Sequence, residues 1–294
     1  MPRFLDPATL ANISGLELVA KTVVDGFVTG LHRSPDFGFS QEFAEYSSYT
    51  SGDDLRLVDW NAYARTDRLY LKRFHGETNC QITILMDASA SMAYTSHGVT
   101  KMDYARYLAS SVAYMANRQR DAAGLMVFRE DVDNYIPPST RAGQFHRLVL
   151  EIENAETGSQ TDFTRPLMHF LQMANRRGIV MVISDFWNEA DGIVAAASLL
   201  RVRGNEVILF HVLDPDEMRP QLDEPVLLQD METRTSLEVS PDYVEHEYRR
   251  RIDRHVETLR SKSKAAGLDY CLLRTDQPLD AALHEYLNIR QGKI

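Results

Sequence analysis

Asp87, Ser89 and Ser91 alternate with Ala88 and Ala90, and this is the stretch whose residue types best suit chemistry. They follow Ile82-Thr-Ile-Leu-Met86, a largely apolar run without polar alternation, as expected of a strand buried on both faces of a sheet. A strand ending on Asp87 delivers the carboxylate and both hydroxyls to a sheet's carboxyl edge, where open α/β sheets bind their ligands. Three hard oxygen donors so close together suit one side of a cage for Mg²⁺ or Mn²⁺.

Two further segments supply candidates. Ile179 to Ser184 is the most hydrophobic strand pattern in the chain, and it ends on Asp185. The polar loop Thr157-Gly-Ser-Gln-Thr161-Asp162 leads into the helix before that strand. If the Asp185 strand lies beside the Asp87 strand, all three segments converge at one edge of a doubly wound sheet. Ser89, Ser91 and Thr161 would then bind a metal directly, with Asp87 and Asp185 nearby or acting through water. One coordination position stays open, and the weakly neutralised ion would attract an acidic group. A strand-end Asp followed by Ser can instead cap a turn or helix, so Asp87-x-Ser-x-Ser alone leaves both roles open. Thr161 and Asp185 weigh toward metal. Asp162 is expected to cap the following helix, His211 to be hydrogen-bonded packing, and Trp187 to pack in the core or at the rim.

The elements that must position these residues can be read in order. Ser14 and Glu17 predict a capping box for a helix with Leu16, Val19, Ala20, Val23, Val24 and Phe27 on one face, stopping at Gly30. That face docks either on the main body or on a partner. Residues 32–80 read as a small β-rich extension, with pieces at Leu55–Trp60 and Leu69–Phe74 and the charged residues Asp53, Asp54, Arg56, Asp59 and Arg65. From Ile82 onward strands and helices alternate. Thr100 and Asp103 cap a helix; Gly124–Phe128 is a buried strand; Val132–Ile136 follows too soon for a crossover and must pair antiparallel. Pro166 opens a helix that Gly178 closes, and the helix after Glu189 stops at Gly204. Val207–Val212 and Tyr270–Leu273 are strands, Val226–Leu228 and Leu237–Val239 a hairpin, and residues 242–266 one long charged helix. The last helix surrounds Leu279–Leu287. The fold class is therefore α/β, a doubly wound, mainly parallel sheet with one antiparallel edge strand. Residues 1–80 form an N-terminal helix and β-rich extension packed on the main domain, which spans 81–294 with an excursion at 214–241.

Bulk properties exclude several function classes. A net charge of −10 argues against a general nucleic-acid binder. No run approaches the length of a membrane span, and Met-Pro-Arg-Phe-Leu-Asp-Pro lacks the apolar core of a signal peptide, so the cytoplasm is the expected compartment. Cys80 and Cys271 are far apart and are read as packing residues.

Asp87-x-Ser89-x-Ser91, then Thr161, then Asp185 after a hydrophobic strand, resembles the metal-ion-dependent adhesion site of von Willebrand factor A domains. Gly52-Asp53-Asp54-x-Arg56-x-x-Asp59-Trp60 with Ala64-Arg65, preceded by Gly30-Leu-His-Arg-Ser34 and Glu42-Phe43, is similar to the signature of the bacterial family called domain of unknown function 58. The resemblance runs from about Leu16 to the C-terminus. It implies a von Willebrand factor A-like fold, a Mg²⁺ or Mn²⁺ held by Asp87, Ser89, Ser91, Thr161 and Asp185, and an adaptor or substrate-binding partner of a MoxR-type AAA+ ATPase. Many relatives carry N-terminal membrane helices, so the resemblance implies a soluble short form here.

The rival reading is a metal-dependent hydrolase of phosphatase type with Asp87 as nucleophile. Haloacid dehalogenase-type phosphatases place a second Asp where Ser89 stands, and no general base is apparent. A third reading is a scaffold that keeps the fold without using the metal. The expectation is a binding module, not an enzyme.

Overall fold

The computed structural model describes residues 6–31, 43–48, 63, 70–74, 80–158, 162–174, 176–229 and 236–291. The expected strand at Leu55–Trp60, the charged set Asp53, Asp54, Arg56, Asp59 and Arg65, and Thr161 lie outside the described residues.

Six strands form the central sheet: β3 (Gln81–Asp87), β4 (Ala122–Phe128), β5 (Val132–Ser139), β6 (Ile179–Ser184), β7 (Glu206–Leu213) and β10 (Asp269–Arg274). Their spatial order is β10-β7-β6-β3-β4-β5. All neighbours run parallel except β5, which pairs antiparallel with β4 at the edge, as the short connection requires. β1 (Phe43–Ser48) pairs with β2 (Tyr70–Phe74), and β8 (Val226–Gln229) with β9 (Ser236–Val239), as two antiparallel ribbons.

The apolar strands are apolar because they feed two cores. Ile82, Ile84 and Met86 of β3 and Ile179, Met181 and Ile183 of β6 point to one face. There they meet α1 (Leu16–Leu31), α2 (Lys101–Arg118), α3 (Gln144–Asn154) and α8 (Asp280–Gln291). Leu85, Val180 and Val182 point to the other face, against α4 (Thr164–Met173), α5 (Ala190–Val202) and α7 (Arg249–Ala265). The period of two along each strand makes this partition. The fold is α/β, a doubly wound, mainly parallel sheet with one antiparallel edge strand.

Several boundaries differ from the sequence reading for physical reasons. The box of Ser14 and Glu17 does not form. Gly15, at φ +88°, precedes the helix instead, and the Leu16 amide donates to Glu153 Oε1 of α3 at 2.8 Å. α4 ends at Met173, well before Gly178. Gly178 serves the strand: a Cβ there would collide with the Gln81 carbonyl, so glycine lets β6 start against β3. The expected long charged helix forms over residues 241–265, with a π-helical stretch at Val244–Tyr248 before α7. Gly267, at φ +70°, follows its end as the αL residue expected there.

The apolar face of α1 docks on the body rather than standing free. Val19, Val23 and Phe27 are buried in the larger core, Phe27 meets the His284 ring edge-on at 4.8 Å, and Asp25 pairs with Arg118 at 2.8 Å. Phe27→Ala should therefore cost about 3–5 kcal/mol of unfolding free energy, as for a buried aromatic of the main core. Urea denaturation checks this; a loss near zero would mean that α1 is not part of the cooperative unit.

Candidate metal centre

The chain passes from β3 outward to β4 and β5, then returns to place β6 on the other side of β3. The carboxyl ends of β3 and β6 therefore flank the point where the winding reverses, the place where such sheets hold ligands. Asp87 ends β3 and Asp185 follows β6 there, both buried. Ser89 is buried and Ser91 half-buried at the entry to a short 3₁₀ turn, Ala90–Ala93.

Asp87 is held from two sides. Its Oδ1 accepts from the Ser89 amide at 2.8 Å and its Oδ2 from Ser184 Oγ at 2.6 Å. Burial, and then the nearby Asp185 carboxylate, push its pKa up from 3.8 to about 7, against the lowering effect of these hydrogen bonds. Ser89 Oγ and Ser91 Oγ stand 3.1 Å apart. Adjacent vertices of an octahedron with metal–oxygen distances of about 2.0–2.1 Å are about 3 Å apart, so the hydroxyl pair has the spacing that Mg²⁺ asks of neighbouring ligands. Among the described residues no group of three or more His, Cys, Asp and Glu is arranged to hold a metal. The donors that fit are hydroxyls backed by carboxylates, a hard-oxygen set.

Sequence reasoning missed Lys101. This residue opens α2 directly after its Thr100 cap, and its side chain is 0% exposed. Nζ donates to Asp185 Oδ2 at 2.7 Å and to Glu217 Oε1 at 2.5 Å. Burial disfavours the ammonium, but the two carboxylates outweigh it and the net direction of its pKa is up. The signal was present: a lysine in the first turn opposes the helix dipole, so it needs a specific partner. Ser184 was equally readable. Met86 pairs with Ile183, so Ser184 shares the sheet face of Asp87 on the adjacent strand. Glu217 and Asp214 belong to the turn and short helix α6 (Pro215–Met218) after β7, which carries no sequence cue for the site. Buried Asp214 accepts from Ser96 N and Oγ at 3.0 and 2.5 Å, tying the loop after Ser91 to the end of β7.

Asp185 is aimed by a strained neighbour. Phe186 has φ +48°, a left-handed conformation that costs a bulky residue about 1–2 kcal/mol. Its ring is wedged edge-on between Phe163 and His211, its amide donates to Ser184 Oγ at 3.1 Å, and its carbonyl accepts from His255 Nε2 at 2.9 Å. Trp187, 44% exposed, stacks on His255 and forms the rim. His211 is packing, as expected, with Nδ1 bonded to Tyr270 Oη at 2.7 Å. Asp162 caps α4 through the Thr164 and Arg165 amides at 2.9 and 3.2 Å. Burial pushes the Cys271 thiol up to about 12, which removes it from thiolate chemistry.

A family model described as "Protein of unknown function DUF58" matches residues 45–262, and the chain belongs to this family. It is 25% identical over 281 residues to the uncharacterized protein Rv1480 of Mycobacterium tuberculosis, covering 92% of this chain and 86% of that one. Among solved structures, the conserved hypothetical protein BatB from Bacteroides thetaiotaomicron superposes with a TM-score of 0.50 at 16% identity, over 72% of this chain and 98% of BatB. That likeness is one of fold. The SpRpn10 VWA domain aligns over 70% of this chain and 94% of its own, with a TM-score of 0.39 and 10% identity.

Burial, and next the neighbouring His255, lower the His211 pKa from 6.5 to about 3. Between those values the unfolded chain binds a proton that the native chain does not, so stability rises with pH. The His211 contribution is complete above about 6.5 and is lost as pH falls toward about 3. His211→Asn should flatten that part of the urea-midpoint profile relative to wild type; parallel profiles would mean that His211 does not titrate this way.

Proposed function

We propose that the protein is a metal-dependent protein-binding module, an adaptor or substrate-binding partner of a MoxR-type AAA+ ATPase or of that ATPase's client. In this reading Asp87, Ser89, Ser91, Thr161 and Asp185 hold Mg²⁺ or Mn²⁺, and the ion's open position takes a carboxylate from the partner. The observation that carries the reading is the Ser89–Ser91 hydroxyl pair, 3.1 Å apart at the carboxyl edge where the winding of the sheet reverses. Hydroxyls donate without neutralising a divalent ion, which leaves it electrophilic enough to bind an outside acid. The exposed face of Trp187 beside Asp185 adds apolar area to such a contact. Among the described residues no helix is long and apolar enough to cross a membrane. Asp87 is a poor nucleophile for a hydrolase, since it is buried and both oxygens accept hydrogen bonds.

Affinity capture from native cell extract, with Mg²⁺ and again with EDTA, tests the proposal. A AAA+ ATPase or its client should be retained with Mg²⁺ and lost with EDTA. The double substitution Ser89→Ala with Ser91→Ala should leave a folded protein that neither binds Mn²⁺ nor retains the partner. Undiminished Mn²⁺ binding by that variant would reject the ligand assignment, and identical capture in both buffers would move partner binding away from this edge.

A further inference from the structure

Lys101 is absent from the ligand set just proposed, yet its ammonium is sealed into the same edge. It bonds to Asp185 Oδ2 at 2.7 Å and Glu217 Oε1 at 2.5 Å with no exposed side-chain surface. The position is costly in two ways. A buried cation must be repaid by close partners, and the first turn of α2 carries the positive end of a helix dipole. A residue kept there for packing alone would be apolar.

The charges define the role. Asp87 and Asp185 bring two carboxylates to the ends of β3 and β6, and Lys101 offsets one of them. A divalent ion at Ser89 and Ser91 with Asp185 beside it would face a second cation bonded to that same carboxylate. We propose that Lys101 is a resident counter-cation that competes with a divalent ion for Asp185 and thereby sets the metal affinity of the site. Glu217 is the second arm of this device: it holds Lys101 when a metal draws on Asp185. Through Glu217, metal binding is linked to α6, whose Asp214 also fastens the loop after Ser91. A metal held against this competition is held loosely until a partner's carboxylate completes its shell. The inference rests on the reading of Ser89 and Ser91 as ligands.

Titration of Mn²⁺ into the full chain, followed by calorimetry and by free-Mn²⁺ paramagnetic resonance, tests it with wild type, Lys101→Met and Glu217→Gln. Lys101→Met keeps the length and removes the charge, and should bind Mn²⁺ about tenfold tighter or more, since a unit charge a few ångströms away is removed at low dielectric. Glu217→Gln leaves Lys101 wholly on Asp185 and should bind about threefold weaker or more. Tighter binding by Lys101→Met while wild type shows none would support the competition and reject metal use by the natural chain. Equal or weaker binding by Lys101→Met overturns the proposal while leaving the ligand assignment intact. No binding by wild type or by any folded variant overturns both. Should Lys101→Met fail to fold, Glu217→Gln decides: weaker binding supports the competition, and unchanged binding overturns it.

Discussion

Two carboxylates buried side by side set the terms for this molecule. Asp87 and Asp185 sit at the carboxyl ends of adjacent parallel strands whose two faces are both covered, so neither is hydrated as a surface acid would be. Buried charges of like sign persist only with donors and counter-charges at hand. The surroundings supply them: the Ser89 amide and Ser184 hydroxyl for Asp87, and the Lys101 ammonium for Asp185. Much of the local architecture answers that need. The capping box of Thr100 and Asp103 starts α2 where its first residue reaches Asp185, and the turn after β7 brings Glu217 to the other side of the same ammonium.

The same demand explains the strain beside the site. The chain leaves β6 through a left-handed phenylalanine, and no glycine relieves it. The ring of Phe186 is held by Phe163 and His211, and its carbonyl by His255, so packing on the second core sustains the backbone geometry that presents Asp185. Site and core are thus one mechanical unit. The placement of Asp185 rests on the contacts of the Phe186 ring with Phe163 and His211.

How much of this was legible from the amino acids depends on whether the information is local. The strand order around β3 and β6, the antiparallel β5 and the capping box of Thr100 with Asp103 follow from periodicity, spacing and turn chemistry, and these readings hold. Ser14 with Glu17 had the same local signature and did not form; Gly15, at φ +88°, precedes the helix, and the Leu16 amide donates to Glu153, distant in sequence. Gly178 read as a helix stop, whereas its role is a close backbone approach between two strands. Asp87, Ser89, Ser91 and Asp185 stood out in the sequence because their types and spacing suit hard-oxygen coordination, and the fold brings them to one sheet edge. Lys101 and Ser184 carried signals that went unread, a lysine in the first turn of a helix and a hydroxyl level with Asp87 on the next strand, whereas Glu217 matters only through a partner on another element. Thr161 lies outside the described residues.

The central claim is that the edge formed by β3 and β6 is a divalent-cation site. Crystals grown with Mn²⁺ and measured on both sides of the manganese absorption edge would test it directly. The account predicts one strong anomalous peak within ligand distance, about 2.0–2.3 Å, of both Ser89 Oγ and Ser91 Oγ, on the side of Asp185. A peak elsewhere on the molecule, or Lys101 unmoved beside Asp185 with no peak at saturating Mn²⁺, would contradict it.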